Sequence, residues 1–208
     1  MICVGIIEQN IEKCVEILKK CEMAELRFDK IQPKTEEISK LLQFKIPIIA
    51  TCRKGIYNDC QRLKILKIAA ENKTTYIDIE LESDKNYREK LIDIARSNKC
   101  KIIISYHNFN ETPDIATLHN IAKQAKTYNP DFIKIVTTAQ KTEDNLQILS
   151  LYEKEKNLIA FAMGELGKHS RIESFKLGSP FIYAAYASEQ KSADGQMTID
   201  EIKKILQQ

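Results

Sequence analysis

Short apolar runs recur along the whole chain, and each is followed by a segment of different period. The runs cover residues 2–7, 23–27, 47–52, 76–80, 101–106, 132–136, 158–163 and 181–185, with starts 21 to 31 residues apart. Their length and β-rich content predict strands. The segments between them carry apolar residues at helical spacing. Ile11, Cys14, Val15, Leu18 and Cys21 form one stripe, Leu63, Leu66, Ile68 and Ala69 a second, and Leu91, Ile94 and Ala95 a third. Near the C-terminus Thr198 precedes Glu201 by three positions, a helix-opening pattern, and Ile202, Ile205 and Leu206 follow as its apolar stripe.

Strands that alternate with helices pair in parallel through right-handed crossovers. Eight such units predict an α/β fold of one kind, a single closed (β/α)8 TIM barrel of parallel strands. An open doubly wound sheet is the rival, but no G-x-G-x-x-G or G-x-x-x-x-G-K-[ST] follows any run. At 208 residues the chain is near the lower limit for a barrel, so short loops are expected. No linker or low-complexity stretch interrupts it, and residues 1–208 read as one domain.

Composition narrows the function. Hydrophobic residues make up 43% and charged residues 29%, a globular profile. A net charge of only +3 argues against a nucleic-acid partner, and no run is long enough to span a membrane. The first residues are apolar but lack a basic leader, so a cytoplasmic location is expected. The six cysteines form no C-x-x-C pair, and the three histidines lie far apart, so neither disulfides nor a metal site is expected.

Barrel chemistry collects at the C-terminal ends of strands. Glu25 and Arg27 are two apart and share a face, with Leu26 and Phe28 on the other. The next strand ends in Arg53, and Asp78 and Glu80 share a face in the strand after it. Lys134 lies between apolar neighbours inside a strand. It is either a desolvated nucleophile toward carbonyls or a lysine that snorkels outward or pairs with a buried acid. His107 ends the preceding strand, where an imidazole can shuttle a proton or can simply cap a helix. His119 falls within a helical segment and reads as structural, and His169 falls in the loop after the seventh strand. Arg27, Arg53 and Arg171 are half of the six arginines in a lysine-rich chain. Arginine at strand ends suits a carboxylate ligand, or internal pairing such as Arg27 with Asp78 or Glu80.

Taken together, several stretches resemble the type I 3-dehydroquinate dehydratases of the shikimate pathway. They are Glu25-Leu-Arg-Phe-Asp29, Thr51-Cys-Arg53, Tyr76-Ile-Asp-Ile-Glu80, Ser105-Tyr-His-Asn-Phe109 with Thr112-Pro113, Ile133-Lys-Ile135, Met163-Gly164 with Ser170-Arg171, and Ser192-Ala-Asp-Gly-Gln196. The resemblance implies a homodimeric barrel that needs no metal or cofactor. It implies 3-dehydroquinate as the substrate, an imine on Lys134 and proton transfer by His107 during syn loss of water. It assigns Arg171 to the substrate carboxylate, Glu25, Arg27, Arg53, Ser192 and Gln196 to its hydroxyls and loop closure, and Met163 to an apolar wall.

Three departures accompany the likeness. The loop after Arg53 lacks the family's glutamate, so Glu80 or Asp59 is the expected orienting acid, or His107 is held less firmly. Asp194 stands where the family usually has proline, which predicts a more mobile lid. The first strand starts at once, so the family's extra N-terminal hairpin is not expected.

Overall fold

The structure is a computed structural model that describes residues 1–207. It divides into two compact units, one of Cys3–Ile103 and one of Met1–Ile2 with Ile104–Gln208.

The unit Cys3–Ile103 holds the strands β1 (Ile2–Ile6, its first residue aside), β2 (Met23–Arg27), β3 (Ile48–Thr51) and β4 (Tyr76–Glu80). They lie in that order and pair in parallel, with Cys3 opposite Met23, Glu25 opposite Ile49 and Ala50 opposite Ile77. Both faces of these strands are buried, as a parallel sheet covered by helices requires. The helices are α1 (Ile11–Leu18), the single turn α2 (Phe28–Ile31), α3 (Thr35–Leu42), α4 (Asp59–Glu71) and α5 (Lys85–Ser97). Phe28 opens α2 and is fully buried there, so β2 stops at Arg27 instead of running on through Phe28.

The helical stripes form with small rotations. α1 buries Cys14, Val15, Ile17 and Leu18 and leaves Ile11 and Cys21 half-buried. α4 buries Arg62, Leu66, Ala69 and Ala70, while Leu63 and Ile68 are only half-buried. The stripe has shifted because Arg62, not Leu63, faces inward, where the Cys52 carbonyl, Asp59 and Glu80 accept from it. Asn58 caps this helix by accepting from the Gln61 N–H, and Gln61 returns a bond to the Asn58 N–H.

β5 (Lys101–His107) ends in the second unit, which also holds β6 (Phe132–Thr138), β7 (Leu158–Met163) and β8 (Ile182–Ala185). β6 and β7 pair in parallel, with Lys134 opposite Ile159, Val136 opposite Phe161 and Thr138 opposite Met163. The helices here are α6 (Ile115–Lys126), α7 (Glu143–Leu149), α8 (Lys168–Lys176) and α9 (Ile199–Leu206). Ile172 of α8, Ile182 and Ala184 of β8, Ile202 of α9 and Met197 just before that helix form one buried cluster. Thr198 and Glu201 make the expected capping box. Of the expected α9 stripe only Ile202 is buried; Ile205 and Leu206 lie exposed, beyond the reach of that cluster.

Candidate active site

Two groups of polar side chains occupy the strand ends, one in each unit. In the second unit the first is Lys134. Its neighbours Ile133 and Ile135 take the opposite face of β6, so the lysine shares its face with Val136 and Thr138 and across the pair with Ile159, Phe161 and Met163. It is 5% exposed. Its Nζ lies 4.2 Å from the centre of the Tyr183 ring on β8. The snorkelling alternative is therefore excluded by burial.

His107 ends β5, half-buried, with its ring stacked on Phe109 at 6.0 Å and 15°. The chain after it is tied to β6: the Asn108 N–H donates to the Val136 carbonyl at 2.9 Å, and the Thr138 hydroxyl donates to the Asn108 carbonyl at 3.0 Å. Thr112 adds a 3.1 Å bond to the Thr138 carbonyl. These bonds fix the residue following His107 two positions along the strand that carries Lys134.

Arg171 is 3% exposed, with its guanidinium 4.4 Å from the centre of the Phe161 ring. It sits in the first turns of α8, not in a loop, as do Ser170 and the exposed His169. One terminal nitrogen donates to the Asp194 carbonyl at 3.3 Å, and Nε meets no acceptor among the described residues. No carboxylate pairs with it among the described residues. Burial lowers its pKa to about 10, so it stays charged at neutral pH. A buried cation without an internal counter-charge is costly unless something else supplies one. This residue is thus suited to an anion.

The segment 192–196 lies against the same helix. Gln196 is buried and accepts from the Ser192 N–H at 2.7 Å and from the Ser192 hydroxyl at 3.1 Å. The Asp194 carbonyl accepts from the Gly164 N–H at 3.2 Å as well as from Arg171. Gly195 has φ +69, and a Cβ there would stand 2.2 Å from the Gly164 carbonyl oxygen. That close approach demands glycine. Met163, buried at the end of β7, completes this group.

The group in the unit Cys3–Ile103 is an ion-pair network. Arg27 grips Asp29 with two bonds, Nε to Oδ1 at 3.1 Å and Nη2 to Oδ2 at 2.9 Å. Asp29 also accepts from the Arg53 N–H at 3.2 Å. Arg53 in turn meets Asp78 at 2.8 Å and Glu80 at 3.6 Å. The pairing considered for Arg27 with Asp78 or Glu80 is thus made by Arg53, because Asp29 is only two residues from Arg27 and captures it. Glu25 is buried and accepts from the Thr51 hydroxyl at 2.8 Å. Burial opposes the Arg27 charge, but Asp29 and Glu25 outweigh it and its pKa stands above the ordinary value. Burial, with Asp29 next, pushes the Cys52 thiol up to about 12, so it stays neutral.

Arg62 is the member of this network that sequence reading missed. It is 3% exposed, donates from Nε to the Cys52 carbonyl at 2.9 Å and from Nη1 to Asp59 at 2.9 Å, and also binds Glu80. Its guanidinium lies 4.6 Å from the centre of the Tyr87 ring. The signal was present: Arg62, Leu66 and Ala69 share helical spacing, and an arginine on an apolar stripe is a buried arginine. Asp59 is engaged by this arginine, and Glu80 by Arg62 and Arg53. His119, half-buried, faces Glu155 at 3.9 Å, and the six cysteines are unbridged. No group of His, Cys, Asp and Glu among the described residues is arranged to hold a metal ion.

Comparison with known proteins resolves the class. Relatives include the 3-dehydroquinate dehydratase of Thermococcus onnurineus, 34% identical over 210 residues that cover 97% of this chain and 95% of that protein. The same enzyme of Methanocaldococcus jannaschii is 35% identical, covering 99% and 97%. Among solved structures, the 3-dehydroquinate dehydratase of Aquifex aeolicus is 26% identical with TM-score 0.83, covering 99% of this chain and 96% of its own. The type I enzyme of Clostridium difficile, at 23% identity, superposes with TM-score 0.87 over 99% of this chain and 90% of its own. The fold class is therefore α/β of the (β/α)8 TIM-barrel type, and the protein is an enzyme of the hydro-lyase class. The family model described as Type I 3-dehydroquinase matches residues 2–208, and the chain belongs to that family.

Proposed function

We propose that this dehydratase converts 3-dehydroquinate to 3-dehydroshikimate through an imine on Lys134. The amine adds to the C3 ketone and water leaves, so the nitrogen ends as a protonated imine. That cation draws electrons from C2 and makes its proton removable. His107 takes this proton and gives it to the C1 hydroxyl as it departs, a net syn loss of water. Water then hydrolyses the imine and frees the lysine. Arg171 holds the substrate carboxylate, Ser192 and Gln196 bind hydroxyls, and Met163 supplies an apolar wall. Glu25, Arg27 and Arg53 carry the remaining hydroxyl-binding roles, with Glu80 as the acid that the strand-3 loop lacks. The same reading gives the protein a step in aromatic amino acid biosynthesis, a cytoplasmic location and a homodimeric state.

The observation that carries this reading is the buried Arg171, which no carboxylate among the described residues neutralises, in one unit with the buried Lys134. Absorbance of the conjugated enone product tests it. Wild type turns 3-dehydroquinate over, Lys134→Ala does not, and His107→Ala builds up imine but releases product very slowly. An active Lys134→Ala protein ends the imine route.

A further inference from the structure

The Lys134 amine and the Arg171 guanidinium rest on two neighbouring rings. Lys134 Nζ lies 4.2 Å from the Tyr183 ring centre, and the Arg171 guanidinium lies 4.4 Å from that of Phe161. The rings are themselves 6.3 Å apart at 54°. Phe181 meets Tyr183 edge-on at 5.4 Å and Phe132 meets Phe181 edge-on at 6.1 Å, so the Tyr183 ring is held by edge-to-face aromatic contacts. Lys134 and Tyr183 are each 5% exposed, which removes most of the water that would screen a charge at this nitrogen. The face of an aromatic ring is the negative end of its quadrupole and attracts a desolvated cation.

We propose that Tyr183 is an electrostatic partner of the reacting nitrogen, its ring stabilising the protonated imine. The inference deepens the reading of Lys134 as the imine-forming residue and rests on it. In that step the nitrogen lone pair forms the bond to the carbonyl carbon, the carbonyl oxygen leaves as water after taking up two protons, and the nitrogen keeps one hydrogen and a positive charge. A carbonyl substrate brings no positive charge of its own, so an attraction to the cation acts on the intermediate and leaves the substrate untouched. Such an interaction favours kcat over KM. The ring face serves this purpose and the phenol oxygen does not, so phenylalanine in its place suffices.

Three variants test the idea by kcat, KM and the fraction of protein trapped by borohydride during turnover. Tyr183→Phe keeps the ring, while Tyr183→Leu and Tyr183→Met remove it at nearly conserved volume. Melting temperature and circular dichroism establish that each is folded. Tyr183→Phe is expected to match wild type. The ringless variants are expected to lose roughly ten-fold in kcat, the scale of one desolvated cation–π contact, with KM nearly unchanged and a smaller trapped fraction. Wild-type kcat and trapping in a folded ringless variant would overturn the proposal. So would a folded Tyr183→Phe protein with low kcat, because the hydroxyl would then be the acting group. A wild-type protein that turns over without any trapped adduct instead removes the imine on Lys134, the reading beneath it.

Discussion

Arg171 is a buried guanidinium stacked on Phe161, with a single carbonyl, that of Asp194, in reach of one nitrogen. Arg171→Ala is expected to raise KM by roughly ten- to hundred-fold, the scale of a hydrogen bond to a charged group. Steady-state kinetics checks this, and an unchanged KM would argue against a carboxylate clamp. Residues of this kind were legible in the sequence where the residue type conflicted with its surroundings. Lys134 between Ile133 and Ile135 is such a conflict; Arg62 beside Leu66 is another, although sequence reading passed over it. Partners were less legible, because pairing depends on three-dimensional reach. Asp29 accepts from two nitrogens of Arg27 because the short turn α2 brings it back onto β2, and nothing in the period of that strand foretells the turn. In the sequence the rings of Phe161 and Tyr183 are simply apolar strand residues, and nothing there shows that Arg171 and Lys134 lie over them.

At the scale of the element, all eight strands lie where the apolar runs fall, because parallel strands are buried on both faces and leave a continuous apolar signature. Helix faces shifted by about a position, since a stripe that includes a satisfied arginine looks interrupted in sequence. The segment 192–196 is pinned by its backbone to Gly164 and Arg171, so the expected mobility from Asp194 in place of proline meets two restraining bonds at that residue's carbonyl. The start of α9 is a further lever. Hydrogen bonding to the Thr198 N–H holds the Glu201 carboxyl below the ordinary carboxylate range. A carboxylate with a lowered folded pKa adds stability that is present above its unfolded value and is lost as pH falls through the folded one. Thermal melts between about pH 3 and 7 are expected to show less acid-side loss for Glu201→Gln than for wild type. Parallel curves would contradict this role.

At the scale of the molecule, the likeness to solved dehydratases extends over 99% of the chain, although fewer than three residues in ten are shared with them. What persists at such distance is the alternation of strand and helix. A binding site also sets a cost on the whole fold. A base whose folded pKa lies below its unfolded one destabilises the fold wherever it is protonated, and burial lowers that of Arg171 to about 10. At neutral pH, Arg171→Met is therefore expected to keep the packing on Phe161 and raise the melting temperature of the free protein. The same variant loses the thermal shift that 3-dehydroshikimate gives wild type by binding the native state. Calorimetry reads both effects, and a lower melting temperature with the ligand shift intact would refute the assignment.

The central claim is the imine on Lys134. Wild type and Lys134→Ala are mixed with 3-dehydroquinate, reduced with borohydride, and weighed intact before the modified peptide is mapped. A covalent adduct on Lys134 is expected in wild type and none in the variant. Folded wild-type protein that makes the enone product yet carries no adduct, or an adduct that survives in Lys134→Ala, would contradict it.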